Sequence, residues 1–115
     1  PGDRLLGIVS TALEDMKGVD IKVIDVRDLT SITDRMVIVS GTSTRHLKAL
    51  ADNVALQAKK HGFPALGVEG EQGAEWVLID LGDVVVHVML PGIRDFYALE
   101  KLWSVGGDTR ADSGS

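Results

Sequence analysis

Three places in the chain carry residue types that could do chemistry. Asp80 and Asp83 bracket Leu81-Gly82. Paired carboxylates can hold Mg²⁺ for phosphoryl or nucleotidyl transfer. They also fit a plainer role, because Asp at a turn end accepts hydrogen bonds from nearby backbone N–H groups. The spacing favours the plainer role. Carboxylates on one strand face stand two residues apart, whereas these stand three apart across a turn. Gly41-Thr42-Ser43 opens a helical pattern and could cradle a phosphate with free N–H groups. It lacks the Lys and the glycine spacing of a P-loop, so helix capping is the preferred reading. The histidines are His46, His61 and His87. With no cysteine and no second histidine three or four residues away, none reads as part of a zinc set. No metal or cofactor is expected, and no Ser-His-Asp spacing suggests a nucleophile.

The elements that must position these residues follow from periodicity. Leu5, Val9, Ala12, Leu13 and Met16 mark one face of a helix, with Gly18 as its stop. Ile21, Val23 and Ile24 to Val26 read as a first strand. Met36 to Ser40 is continuously apolar, as in a strand covered on both faces. Thr42 or Ser43 caps a second helix whose stripe is Leu47, Leu50, Ala51, Val54 and Ala58, ended by Gly62 and Pro64. His61 lies near its C-terminus, where a cation suits the dipole. Arg45, Lys48, Lys59 and Lys60 make this helix locally basic. A solvated face is preferred over a phosphate-contacting stripe.

Leu66 to Val68 is a short strand candidate, and the Gly-rich stretch 69–74 is a loop. Glu75 to Asp80 and Asp83 to Leu90 form a hairpin joined by Leu81-Gly82. Pro91 opens a last helix with Ile93, Phe96, Leu99, Leu102 and Trp103 on its buried side. Residues 104–115 are small and polar, and a disordered tail is expected there. The order α-β-β-α-β-β-β-α predicts an α/β fold, a mixed sheet of about five strands flanked by helices.

Strand alternation puts Trp76, Leu78 and Asp80 on one face and Val77 and Ile79 on the other. A carboxylate beside Trp76 suggests a partly wet face, and a half-exposed Trp among apolar neighbours suits an interface anchor. Packing of Trp76 under a helix fits the pattern equally well. His87 alternates with valines and reads as a hydrogen-bonded sheet residue rather than a general base.

The 115 residues fit one domain, and 44% apolar with 25% charged residues is ordinary for a globular chain. The net charge is −5 and the pI about 5.0. That argues against DNA binding, or any autonomous nucleic-acid binding, where Lys and Arg neutralise phosphates. An acidic chain can still dock on a basic protein. The absence of cysteine fits a reducing compartment. No apolar run is long enough to span a bilayer and no signal peptide is discerned, so a cytoplasmic protein is expected.

Several segments taken together resemble one family. They are Thr33-Asp34-Arg35-Met36-Val37-Ile38, Gly41-Thr42-Ser43-Thr44-Arg45, Gly67-Val68-Glu69-Gly70, Glu75-Trp76-Val77-Leu78-Ile79-Asp80, Gly82-Asp83-Val84-Val85-Val86-His87-Val88 and Phe96-Tyr97-Ala98-Leu99-Glu100-Lys101-Leu102-Trp103. In this order and spacing they look like the ribosomal silencing factor family, also called Iojap-related. The resemblance runs from Leu5 to Trp103, with the domain taken as 1–103.

The resemblance implies a nucleotidyltransferase-like core without the catalytic carboxylate set, and a protein that is not an enzyme. It implies binding to ribosomal protein L-fourteen of the large subunit, a block on subunit joining and repression of translation when nutrients are scarce. It also implies homodimers off the ribosome and, for organelle members, a link to large-subunit assembly. The family's apolar docking patch falls here on Trp76, Leu78, His87, Met89 and Pro91. Glu69, Asp80 and Asp83 match acidic positions that can meet basic groups on the partner. Two departures stand out: Arg35-Met36 replace aromatic residues, and Leu81 replaces a frequent Tyr. The rival reading is a minimal nucleotidyltransferase using Gly41-Thr42-Ser43 on phosphates and Asp80 with Asp83 on a metal. No Asp-x-Asp, the pattern such enzymes need, occurs in the chain.

Overall fold

A computed structural model, which describes residues 2–70 and 73–97, has the order of elements that the pattern predicts. These are α1 (Gly2–Asp15), β1 (Val19–Asp25), β2 (Arg35–Ser40), α2 (Thr44–Lys60), β3 (Gly67–Glu69), β4 (Trp76–Asp80), β5 (Val84–Met89) and α3 (Pro91–Tyr97). The strands form one mixed sheet in the order β1-β2-β5-β4-β3. β2 and β5 run parallel from Arg35↔Val84 to Ser40↔Met89. The other neighbours are antiparallel. The expected tail and the Leu99, Leu102 and Trp103 positions lie outside the described residues.

One sheet face is covered by α1 and α2. Leu5, Val9, Ala12 and Leu13 of α1 and Leu47, Leu50, Ala51, Val54 and Ala58 of α2 pack on Val37, Val39, Val77, Ile79, Val84, Val86 and Val88. The central strands are valine-rich because β-branched side chains suit a pleated surface covered by helices. On the opposite face a smaller cluster of Val26, Met36, Ile38 and Met89 gathers Ile24, Trp76 and Ile93 of α3 around it. Both faces of β2 are therefore covered, as its continuous apolar run predicts. Ser43 is the N-cap of α2, its Oγ accepting from the His46 N–H at 3.1 Å.

Three local details differ from expectation. Met16 lies past the end of α1 and is 36% exposed, so it is not part of the helix stripe. The left-handed residue that ends α1 is Lys17 (φ 61) rather than Gly18. The Lys17 N–H donates to the Glu14 carbonyl and the Gly18 N–H to the Leu13 carbonyl, the paired bonds of a Schellman end. Gly18 is needed for space instead, since a Cβ there would come within 2.8 Å of Val39 Cγ2. The β4–β5 turn is Gly82-Asp83, one residue later than expected, because the Leu81 N–H still donates to the Val84 carbonyl at 2.9 Å. Gly82, at φ 88, supplies the positive φ that a two-residue hairpin turn requires.

Candidate docking face

The sheet face opposite α1 and α2 brings most of the singled-out residues together. Across it, Trp76 pairs with Met89, Leu78 with His87, and Asp80 with Val85. Glu69 of β3 stands beside Leu78, extending the row outward. Alternation along β4 thus places Trp76, Leu78 and Asp80 on one face, all three half-buried, while Val77 and Ile79 face the helices. Beyond the cluster around Met89, no helix among the described elements covers the β4–β3 side. A hollow of about 250 Å³ remains there, lined by Glu69, Gly70, Trp76 and Leu78.

The face is held by a side-chain hydrogen bond as well as by packing. The Trp76 indole Nε1–H donates to His87 Nδ1 at 3.0 Å, with the rings 5.7 Å apart and tilted by 51°. His87 is only 6% exposed, and burial lowers its pKa to about 4. The imidazole is therefore neutral at neutral pH. Because Nδ1 accepts from the indole, the hydrogen of the neutral ring sits on Nε2. His87 is the hydrogen-bonded sheet residue that its pattern suggests. Met89 is fully buried. These two residues form the floor of the face, while Trp76 and Leu78 present surface.

The acidic positions divide. Glu69 is exposed at the rim. Asp80 shares the face, but its Oδ1 accepts from the Gly82 N–H at 2.9 Å and so braces the hairpin turn. Asp83 lies in that turn at the end of the sheet. Its side chain is exposed, and its carbonyl accepts from the Asp34 and Arg35 N–H groups. Pro91 is exposed at the start of α3.

The phosphate-cradle reading of Gly41-Thr42-Ser43 meets a physical obstacle. The Thr42 N–H is already spent on His46 Nδ1 at 2.9 Å. The Ser43 hydroxyl caps α2, and His46 Nε2 donates to the Met16 carbonyl at 2.7 Å. His46 ties the β2–α2 turn to the end of α1. That long-range role has no signal in the local pattern. Among the described residues, no group of three or more His, Asp or Glu side chains is placed to hold a metal ion. No helix among them is long and apolar enough to cross a membrane.

Two more residues matter that pattern reading did not single out. Gly70 has φ 119, and a Cβ there would lie 2.9 Å from the Trp76 carbonyl, so only glycine lets the chain pass beside the tryptophan. Arg94 of α3 is 4% exposed and reaches across to β1 and β2. The departures from the family pattern are absorbed elsewhere. Met36 and Leu81 are buried in the two core clusters. Arg35 stands near Asp3 and Asp25, at 3.3 and 3.8 Å.

A family model described as "Ribosomal silencing factor during starvation" matches residues 3–114. The ribosomal silencing factor of Chromobacterium violaceum is 52% identical over 92 residues, covering 80% of this chain and 75% of that protein. A mouse protein named "Mitochondrial assembly of ribosomal large subunit protein 1" is 42% identical over 90 residues, 75% of this chain and 39% of its own length. The crystal structure of a Chromobacterium violaceum protein superposes with a TM-score of 0.88 at 43% identity. It covers 100% of this chain and 96% of that one.

Proposed function

The chain belongs to the ribosomal silencing factor family, and from that premise we propose that it silences translation sterically. In this reading the open sheet face docks on ribosomal protein L-fourteen of the large subunit and keeps the small subunit from joining. The observation that carries it is the face itself. Trp76 and Leu78 stand half-buried beside a hollow that no described helix covers, with Glu69 and Asp80 at hand for a basic partner. An aromatic anchor with a polar rim is the usual anatomy of a docking site. A standard interface of about 800 Å² per partner would suffice. Asp83 and Pro91 lie at its margins.

The mechanism needs no bond to be made or broken. Asp80 is engaged with the turn, and the Thr42 N–H with His46, so the residues of the rival nucleotidyltransferase reading already have structural tasks. The site of action is the cytoplasm, and off the ribosome the chain forms a homodimer, as the family resemblance implies. A role in large-subunit assembly is a second reading, favoured by the name of the mouse relative. It uses the same face.

Calorimetric titration of the full chain with purified L-fourteen tests the docking partner. Saturable one-to-one binding that weakens as salt rises is expected, because an acidic rim meeting basic groups is screened by salt. No binding at high micromolar concentration would remove L-fourteen as the partner. The enzyme reading has its own test. A saturable thermal stabilisation by Mg²⁺–nucleotide, about 2.7 kcal/mol at a hundred times the dissociation constant, would restore it.

A further inference from the structure

Arg94 is a charged residue with almost no solvent exposure (4%). Burying a guanidinium is costly unless its donors are matched. Here Nη1 donates to the Asp20 carbonyl at 2.7 Å and lies 3.0 Å from Ser40 Oγ. Nη2 stands 3.7 Å from the Asp20 carboxylate, which is largely exposed. The strong tie is therefore to the main chain of Asp20, not to its carboxylate.

Asp20 is itself unusual. It has φ 53, a left-handed conformation that few non-glycine residues adopt. The β1–β2 register also shifts between Val19 and Lys22, so Asp20 lies in an irregular segment of an edge strand. Bulges of this kind re-aim groups next to functional sites. The two irregular features, a left-handed Asp and a buried Arg, meet at one hydrogen bond.

What they hold is α3. Pro91–Tyr97 are its described residues, and in proteins a helix is held in place mainly by tertiary packing of one face. Ile93 packs against the cluster that contains Met89 and borders Trp76. Arg94, the next residue, is bonded to β1 and β2. We propose that Arg94 is a positioning residue for the docking face: it clamps α3 to the β1 irregularity and the end of β2, and so sets Pro91 and Ile93 as the wall beside Trp76. This rests on the reading of that face as the docking site. Arginine suits the task because its weakly hydrated, rigid guanidinium plane tolerates burial and aims Nη1 at both the Asp20 carbonyl and Ser40 Oγ, a placement that a strongly hydrated, flexible lysine ammonium does not reproduce.

The test measures affinity of the full chain for purified large subunits, well below the melting temperature of every variant. Arg94→Lys is expected to bind about tenfold more weakly. Ser40→Ala, which removes one tie, should weaken binding about threefold. Asp20→Gly keeps the carbonyl and suits the left-handed φ, so it should stay within about twofold. A merely structural role would lower the melting temperature of Arg94→Lys but leave the affinity of the folded protein unchanged. A positioning role also predicts that Trp76→Ala and Arg94→Lys are not independent, the double variant losing less than the product of the single losses.

Should Arg94→Lys fail to fold, Ser40→Ala carries the test. If Trp76→Ala weakens binding while folded Arg94→Lys and Ser40→Ala bind as the parent does, the positioning role is overturned and the docking face stands. If Trp76→Ala also binds unchanged, both fall.

Discussion

The two faces of the sheet solve different problems with the same strands. The face under α1 and α2 is a valine floor with leucines above it, and its members are almost completely buried. Among the described residues, the opposite face is covered where Val26 and Ile93 meet Met36, Ile38 and Met89. Toward β4 and β3 no described helix lies over it, and a hydrogen bond between Trp76 and His87 helps to hold the side chains. The lesson is one of division. One face supplies stability by excluding water, while the other keeps a fixed shape in the presence of water. The second property is what the proposed docking requires, because preorganised side chains lose less entropy on binding.

The sharpest way to separate the faces is to damage the covered one. Leu50→Ala opens a cavity under α2, where Leu50 is fully buried, and should cost about 3 kcal/mol. Urea denaturation reads the loss, and the folded variant should bind large subunits as the parent does. Acid should strike the open face instead. His87 has its pKa lowered to about 4 by burial, so the folded state resists taking up its proton. The sign follows from linkage. The neutral ring's stability is fully present above the unfolded value of about 6.5 and is lost as pH falls from there toward 4, up to about 3 kcal/mol in all. A pH series of denaturation curves should show this slope in the parent and a flatter one in His87→Gln.

Trp76→Ala should invert the pattern of Leu50→Ala. Large-subunit affinity should fall about 30-fold, a loss of about 2 kcal/mol, while stability falls less than with Leu50→Ala. A smaller effect belongs to neither face. Lys17→Gly relieves a left-handed lysine at the end of α1 and should raise stability by about 1 kcal/mol with unchanged binding. Equal losses of affinity from Leu50→Ala and Trp76→Ala would dissolve the distinction between the faces.

Much of this division is legible in the chain because it is written in short periods. The alternation from Trp76 to Asp80 marks the two faces of β4, and the stripe from Leu47 to Ala58 marks the buried side of α2. Ser43 is readable as a cap because its hydroxyl acts only three residues away. The parts that escape depend on distant contacts. Lys17 rather than Gly18 takes the left-handed position, and the need for glycine at 18 comes from its close approach to Val39, far along the chain. The hairpin turn moves to Gly82-Asp83 because Leu81 belongs to the main core. Nothing near Arg94 reveals that its acceptors are Asp20 and Ser40, on two other strands. The composition of this sheet face is thus readable, but the division into presented surface and buried floor is not. Exposure depends on which elements fold over the sheet.

The central claim is that this chain silences by occupying the large subunit, and sedimentation tests it most directly. The protein is mixed with separated ribosomal subunits at near-physiological salt and run through a sucrose gradient. The account predicts co-migration with the large subunit alone and fewer joined ribosomes when small subunits are added. Absence of the folded protein from the large-subunit peak, with subunit joining unchanged, would contradict it.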